Sequence, residues 1–229
     1  MDRSKILPKA DVVHREEYLA DLARGKTVLH IGIGGFTDNP TYTARLADYA
    51  ERTLHGKLHS VARNLTGVDV NAHSLAIMSD ALPGRYVQAD ITAAEASEAI
   101  GGTYELIVLG DVIEHLDCFR SALQNLRALL ADDGVLVITT ANAYNAEAIL
   151  KLVFRYESVH DEHTCYFSYL TMRRVLEMND MTIEDFRYYV QTRTGGSVGS
   201  HSGYYLMRGI SAILPQFSQG IVFHARLRE

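Results

Sequence analysis

The chain has 229 residues, of which 47% are hydrophobic and 22% charged; this balance is typical of a globular protein and excludes a disordered or fibrous one. The net charge of −6 argues against a nucleic-acid-binding protein, because such proteins usually carry a basic face. Two cysteines are too few for a disulfide framework and fit a reducing compartment. The sequence shows no secretory signal and no apolar stretch of membrane-spanning length, so we expect a cytoplasmic protein without membrane contact.

The first third of the chain predicts a helix, a strand and a second helix. Residues 11–24 predict an N-terminal helix that ends at Gly25. The apolar run 27–31 predicts the first strand, which leads into the turn Gly32-Ile33-Gly34-Gly35-Phe36. Asn39 followed by Pro40 is typical of a helix cap and first turn, so we expect a helix to follow.

The rest of the chain alternates between strand and helix patterns, which favours an α/β fold with a parallel sheet. No linker and no internal repeat divides it, so we expect one domain over residues 1–229, with an N-terminal helical extension over 1–25. The predicted strands are 65–70, 86–89, 106–109, 134–139, 183–190 and 220–227, and the predicted helices between the first of them are 72–81, 93–100 and 119–130.

Polar groups stand at the ends of four successive predicted strands, where open α/β sheets bind ligands. The glycine turn can present backbone N–H groups to an anionic ligand, although small turns also contain glycine for steric reasons. Asp69 can accept hydrogen bonds from both hydroxyls of a ribose, or it can cap the helix that begins near Ala72. Asp90 can accept from an adenine amino group, or it can cap the next helix. The fourth group begins at Gly110 and Asp111. We therefore expect a ligand site at this edge.

The order of these motifs resembles that of class I S-adenosylmethionine-dependent methyltransferases. The resemblance runs from about residue 26 to the C-terminus, and residues 28–35, 67–69, 90 and 109–116 carry it, with support from 132–139 and 162–168. Its most specific piece is Asp-x-x-Glu-His-Leu at 111–116. It implies a Rossmann-like fold, with a seven-stranded, mostly parallel sheet of order 3-2-1-4-5-7-6, an antiparallel last strand and an added N-terminal helix. It also implies a methyltransferase of the EC 2.1.1 class.

The resemblance assigns the cofactor S-adenosyl-L-methionine to residues at the strand ends. The glycine turn would contact the methionyl group, the acid ending the second strand would hold the ribose, and the acid after the third strand would meet the adenine, with an isoleucine stacked on it. The residues so assigned are His30, Gly32, Gly34, Asp69, Val70, Asp90, Ile91, Gly110 and Asp111, the last two at the reactive end.

Three departures from the family pattern concern this site. His30 replaces the usual acid; an imidazole can orient the loop or the cofactor amine, but it does not supply the same negative charge. Phe36 stands where a third glycine is common. Residues 41–64 form a longer connection than usual, and an extra helix there would either wall the site or form an oligomer interface, which leaves a homodimer open.

Methyl transfer to a hydroxyl requires a group that removes the proton, and histidine often does this. The candidates for catalysis are His163 and His115, each of which can instead be structural, and residues 141–218 would form the acceptor side. The cluster from His160 to His163 with Cys165 can suggest a metal, but its loose spacing favours a polar acceptor loop, so no metal is predicted. The glycine-rich stretch 195–203 predicts either a flap or an ordinary mobile hairpin.

The acceptor is expected to be a small molecule methylated on oxygen or, with less support, on nitrogen. The Asn-Pro-Pro-Tyr motif of enzymes that methylate nucleic-acid amines is absent, since residues 110–113 stand in its place. Two alternatives stay open. One is a methyltransferase-like module that binds cofactor or a partner without catalysis. The other is an NAD-dependent oxidoreductase, which Thr37 disfavours because a dinucleotide fingerprint would have glycine there.

Overall fold

In the computed structural model, which describes residues 5–34, 49–190 and 208–228, eight strands form one sheet with helices on both faces. The strands are β1 (Val12–Val13), β2 (Thr27–Ile31), β3 (Asn64–Asp69), β4 (Arg85–Gln88), β5 (Tyr104–Gly110), β6 (Leu130–Ala141), β7 (Met181–Tyr189) and β8 (Gly220–Leu227). The helices are α1 (Arg15–Ala23), α2 (Leu54–His59), α3 (Ala72–Ala81), α4 (Ala96–Ile100), α5 (Phe119–Leu129), α6 (Ala146–Val153) and α7 (Tyr169–Glu177), with a further helical segment at 208–213.

The sheet has the order β1-β7-β8-β6-β5-β2-β3-β4. If β1 is left out and β2 to β8 are renumbered 1 to 7, this order, read from the β4 edge, is the predicted 3-2-1-4-5-7-6. Strand β8 is antiparallel to both of its neighbours, and the other pairs are parallel, as expected. The predicted Rossmann-like class I fold is therefore confirmed.

The N-terminal segment differs from the single helix predicted over residues 11–24. Val12 and Val13 form β1, which pairs in parallel with β7 and adds an eighth strand, and α1 begins only at Arg15. Asp11 fixes this pairing, because its carbonyl accepts a hydrogen bond from the Tyr188 N–H at 2.9 Å. Two consecutive β-branched residues favour extended backbone, which explains why the helix does not start earlier.

Two apolar layers hold the sheet. Strand β5 is buried on both faces, and its run Leu106–Leu109 is at most 1% exposed. Such a continuous apolar run is typical of a central parallel strand covered by helices on both sides. One layer includes α5 through Leu123 and Leu126, and the other includes α1 through Leu19. Helix α1 also reaches the last strand, because the Tyr18 hydroxyl lies 3.0 Å from Nε2 of His224 in β8.

The register of the central strands brings their carboxyl ends to one edge. Ile31 of β2 lies opposite both Val68 of β3 and Leu109 of β5. The residues that follow them, Gly32, Asp69 and Gly110, are consequently neighbours at this edge. The predicted ligand residues from different parts of the chain therefore converge there.

Candidate active site

A cavity of about 930 Å³ opens at the carboxyl ends of β2, β3 and β5. All but one of the residues predicted for cofactor binding or catalysis line it; the exception is Gly34, whose N–H donates to the lining residue Asp69. Sequence reasoning missed several other lining residues, among them two from α1 and three at the start of α2. The predicted residues on the wall are His30, Gly32, Asp69, Val70, Asp90, Ile91, Gly110, Asp111, His115 and His163, and the missed ones include Arg15, Glu16, Thr53, Leu54 and His55.

The glycine turn has no room for a side chain at Gly32 or at Gly34. Gly32 has φ +82°, and a Cβ there would lie 2.3 Å from Cγ2 of Val112. A Cβ on Gly34 would lie 2.2 Å from Cβ of Ser74 on α3. The absence of side chains leaves a backbone-lined cradle beside the cavity, which suits the close approach of a ligand. Gly35, Phe36, Thr37 and the helix expected after Asn39-Pro40 lie outside the described residues.

Asp69 holds this cradle in place. Its side chain is buried, with Oδ2 accepting from the Gly34 N–H at 2.9 Å and Oδ1 accepting from the Asn71 N–H at 2.9 Å. The alternative role of helix cap belongs to Asn71, whose side chain accepts from the N–H groups of His73 and Ser74. Asp69 points instead towards the cavity and the turn, where a carboxylate has lone pairs left for a ligand's hydroxyls.

Asp90 organises the turn after β4. Its Oδ1 accepts from both the backbone N–H and the hydroxyl of Thr92, at 2.8 and 2.7 Å. Helix α4 begins only at Ala96 and takes Glu95 as its N-terminal flanking residue, so Asp90 does not cap it. The residue lines the cavity next to Ile91.

Arg15 and Asp111 join α1 to the end of β5. Their side chains form a salt bridge of 2.9 Å, and Nε of Arg15 donates to Oγ1 of Thr139 at 3.2 Å. Tyr189 donates its hydroxyl to Oδ1 of Asp111 at 3.0 Å, and burial raises the pKa of this phenol well above its usual value, so it stays a donor. Asp111 has φ +54°, an uncommon conformation for a residue with a side chain. This network fixes the strained residue at the wall of the cavity.

Glu114 is a buried carboxyl group that the sequence did not single out as a site residue. It is 1% exposed, and its Oε1 accepts from the Ala141 N–H at 3.2 Å. Burial and the neighbouring Asp111 carboxylate raise its pKa to about 7. Its backbone carbonyl accepts from the N–H and the hydroxyl of Thr164, at 2.8 and 3.0 Å, which attaches residues 160–166 to the end of β5.

The raised pKa of Glu114 predicts a pH-dependent stability. Because the folded-state pKa lies above that of the unfolded chain, the folded state binds the proton more tightly, and stability falls as the pH rises from about 4.5 to about 7. We expect Glu114→Gln to remove roughly 1–3 kcal/mol of this fall. Urea unfolding at pH 5 and pH 8 measures the difference, with the exposed Glu98→Gln as the control. An equal fall in wild type and Glu114→Gln would contradict the assignment.

The candidate catalytic histidines meet at the cavity wall. The ring centroids of His115 and His163 are 4.7 Å apart and the rings are perpendicular, and His160 lies 5.3 Å from His163. Burial lowers the pKa of both His115 and His163, so both are neutral at pH 7. In the described part of the chain, no group of three His, Cys, Asp or Glu side chains is arranged to hold a metal ion. The stretch 195–203, predicted as a flap or hairpin, is not among the described residues.

Comparison with known proteins decides the family. The family model described as "Methyltransferase domain" matches residues 11–185. The chain belongs to this methyltransferase family. No curated protein sequence matches it.

Solved structures similar to this methyltransferase include two named for particular substrates or positions of methylation. N-methyltransferase NodS from Bradyrhizobium japonicum WM9 is 16% identical with a TM-score of 0.54, covering 94% of this chain and 95% of that one. Magnesium protoporphyrin IX methyltransferase (ChlM) from Synechocystis PCC 6803, with bound SAH, is 14% identical with a TM-score of 0.54, covering 94% and 82%. A TehB-like SAM-dependent methyltransferase from Corynebacterium glutamicum ATCC 13032 Kitasato is 18% identical with a TM-score of 0.52, covering 94% and 89%. At these identities they support the fold.

The expected class I family, transferase activity and cofactor are confirmed. The NodS protein also has a solved complex with S-adenosyl-L-homocysteine (SAH), the product of S-adenosyl-L-methionine-dependent transfer, and the cofactor of this family is S-adenosyl-L-methionine. The methyltransferase has features that fit it, namely a glycine cradle that a Cβ would fill and carboxylates at the ends of β3 and β4. The alternatives of an NAD-dependent oxidoreductase and of a module without catalysis lose their support. Within the described residues, no helix is long and apolar enough to cross a membrane.

Proposed function

We propose that this methyltransferase methylates an oxygen atom of a small molecule, with His163 as the base and His115 beside it. The observation that carries the proposal is the pair of neutral imidazoles on the cavity wall, with ring centroids 4.7 Å apart. Among the described residues, Nδ1 of His163 is buried without a hydrogen-bond partner. A neutral ring of lowered pKa is ready to take a proton at pH 7, which a hydroxyl acceptor needs and an unprotonated amine does not.

The reaction needs alignment and one proton transfer. The cofactor supplies an electrophilic methyl group bound to a sulfonium. His163 would take the proton of the acceptor hydroxyl, which makes that oxygen a better nucleophile towards the methyl group that the bound cofactor would supply. The attachment of Thr164 to the carbonyls of Glu114 and Leu116 holds the segment that carries His163, so the ring keeps its position against the cavity.

The charge of the cavity supports a small acceptor over a nucleic acid. Its described lining contains one guanidinium, that of Arg15, and this group is already paired with Asp111. A polyanion would meet repulsion from the other acidic side chains. The lining carboxylates are Glu16, Asp69, Asp90, Asp111, Asp117 and Glu162.

A panel of acceptors tests the proposal. Phenols, other hydroxyl compounds and their amine analogues are incubated with S-adenosyl-L-methionine, SAH release is measured, and mass spectrometry locates the methyl group in each product. We expect turnover with hydroxyl acceptors and a product methylated on oxygen. Turnover of the amines alone would overturn the oxygen assignment.

His163→Gln is expected to lower kcat by about a hundredfold or more, because general-base catalysis contributes this order of magnitude. The affinity for SAH, measured by calorimetry, should stay unchanged. His73→Gln serves as the matched control, since His73 is exposed on α3 and outside the cavity wall. A His163→Gln enzyme with wild-type kcat would show that another group takes the proton.

A cytoplasmic location and a homodimer stay predictions. We propose the first from the low cysteine count, whereas the second stays open and is measured by light scattering after size-exclusion chromatography. A mass of about 25.5 kDa, that of one chain, would exclude the homodimer.

A further inference from the structure

His30, which stands where the methyltransferase pattern has an acid, belongs to a row of three buried or half-buried rings. Its Nδ1 lies 3.1 Å from Nδ1 of His55, and the two rings are stacked at 15° with centroids 5.3 Å apart. Nε2 of His55 lies 3.2 Å from the hydroxyl of Tyr86. That hydroxyl lies 2.7 Å from the carbonyl oxygen of Leu82. These hydrogen-bonded rings thus connect the cavity to a backbone carbonyl.

The Leu82 carbonyl determines which atom of each ring carries the proton in this relay. A carbonyl oxygen only accepts, so Tyr86 donates its proton to Leu82 and must accept from Nε2–H of His55. A neutral His55 then has a lone pair on Nδ1, so His30 donates from its own Nδ1–H. The remaining nitrogen of His30, Nε2, is left with a lone pair. Burial lowers the pKa of His55 to about 4 and that of His30 well below its usual value, so both rings are neutral.

The lone pair of His30 is available to a ligand. His30 lines the cavity, and Nε2 lies 3.4 Å from the place that a Cβ on Gly110 would occupy. The hydrogen bond of the His30 ring described above is made at Nδ1 and not at Nε2, and Nη2 of Arg15 lies at the same 3.4 Å from that place. The nearest cation, Arg15, is paired with Asp111 and further disfavours protonation of His30.

The sheet order indicates which group of the cofactor His30 faces. Asp69 and Asp90 end β3 and β4, on one side of β2, and they are the residues assigned to the ribose and the adenine. His30, in β2, faces Gly110 at the end of β5, on the other side. The hydrogen-bond donor of S-adenosyl-L-methionine outside its nucleoside is the α-amino group. We propose that His55 and Tyr86 are positioning residues, which hold His30 as a neutral acceptor for that amino group.

The fold leaves space for the relay. A Cβ on Gly67, in the middle of β3, would lie 2.9 Å from Cε1 of His55 and 3.0 Å from the Tyr86 ring. A larger residue in this strand would push both rings aside. The packing of these rings therefore accounts for a residue without a side chain at this position of a buried strand.

Two variants of nearly equal size at position 55 test the relay. In His55→Asn, the amide oxygen can replace Nδ1 as the acceptor for His30, whereas His55→Leu offers no acceptor. Calorimetry is performed with SAH, which has the amino group, and with 5′-methylthioadenosine, which lacks it. We expect His55→Leu to weaken SAH binding by about tenfold or more, since the partner is charged, and to leave methylthioadenosine binding unchanged. His55→Asn should bind both compounds like the wild type.

The outcomes separate the relay from a general structural effect. Equal weakening of both compounds in His55→Leu, or no weakening of either, would overturn the proposal, as would a His55→Asn variant that behaves like His55→Leu. Imidazole ¹⁵N NMR of the wild type adds a measurement that needs no variant: we expect His30 protonated on Nδ1, and protonation on Nε2 at pH 7 would overturn the relay. The inference rests on the cofactor and not on the acceptor, so these results stand whether or not oxygen methylation is found.

Discussion

Asp69→Asn is expected to weaken SAH binding by about 10- to 100-fold, because a buried carboxylate that accepts several hydrogen bonds contributes a few kcal/mol. The amide has the shape of the carboxylate but replaces one oxygen with an N–H₂ group. That group must face the N–H of either Gly34 or Asn71, each of which now donates to Asp69 at 2.9 Å. We expect the two donors in contact to displace the glycine turn, and the site assigned to the ribose to lose one acceptor.

Calorimetric titration with SAH measures this effect, and thermal unfolding reports any loss of stability. Asp80→Asn provides the control, because Asp80 is exposed on α3 and makes the same change of charge away from the cavity. If Asp69→Asn bound SAH with wild-type affinity, the ribose assignment would be rejected. A loss shared by Asp80→Asn would instead point to the net charge of the protein.

Gly32→Ala is expected to destabilise the protein by about 3–5 kcal/mol and to abolish measurable SAH binding. Two causes add up. Alanine is strained at φ +82°, and its Cβ would lie 2.3 Å from Cγ2 of Val112. Either the turn or the loop after β5 must move, and both line the cavity.

Gly25→Ala separates the two causes, because Gly25 has φ +71° but no atom within 4 Å of a Cβ. Its expected cost is about 1 kcal/mol, from backbone strain alone. The double variant Gly32→Ala/Val112→Ala removes the overlapping methyl group and should recover part of the loss. Denaturant unfolding gives all three free energies. If Gly32→Ala and Gly25→Ala lowered the free energy of unfolding equally, Val112 would be shown to move away from the new Cβ without an energetic cost.

Local patterns predicted those parts of the fold that local physics determines. The apolar run before Gly32 and the α3 segment 72–81 are examples, and α3 was predicted with its observed bounds. Where neighbouring residues offer the same chemistry, the sequence could not decide between them: both Asp69 and Asn71 can cap a helix, and the backbone direction at the end of β3 gives that role to Asn71. The pairing of β1 depends on the edge of β7, which is far away in the sequence.

The missed site residues depend on contacts between distant parts of the chain. Arg15 opens an unremarkable helix, and only the folded sheet brings it to Asp111. His55 lies within the long connection after β2 that the sequence marked as unusual, but no motif there distinguishes this ring from its neighbours. Glu114 was visible as part of Asp-x-x-Glu-His-Leu, yet its burial and raised pKa follow from the packing of β6 against the turn after β5.

The contact between Tyr18 and His224 joins two segments that are 206 residues apart in the sequence. Helix α1 and β8 meet there at 3.0 Å, and the same helix supplies Arg15 and Glu16 to the cavity wall. The position of α1 is thus supported by a contact that requires β8 in the sheet. Because contacts of high sequence separation are slow to form, we expect this support of the cavity wall to arise at a late step of folding.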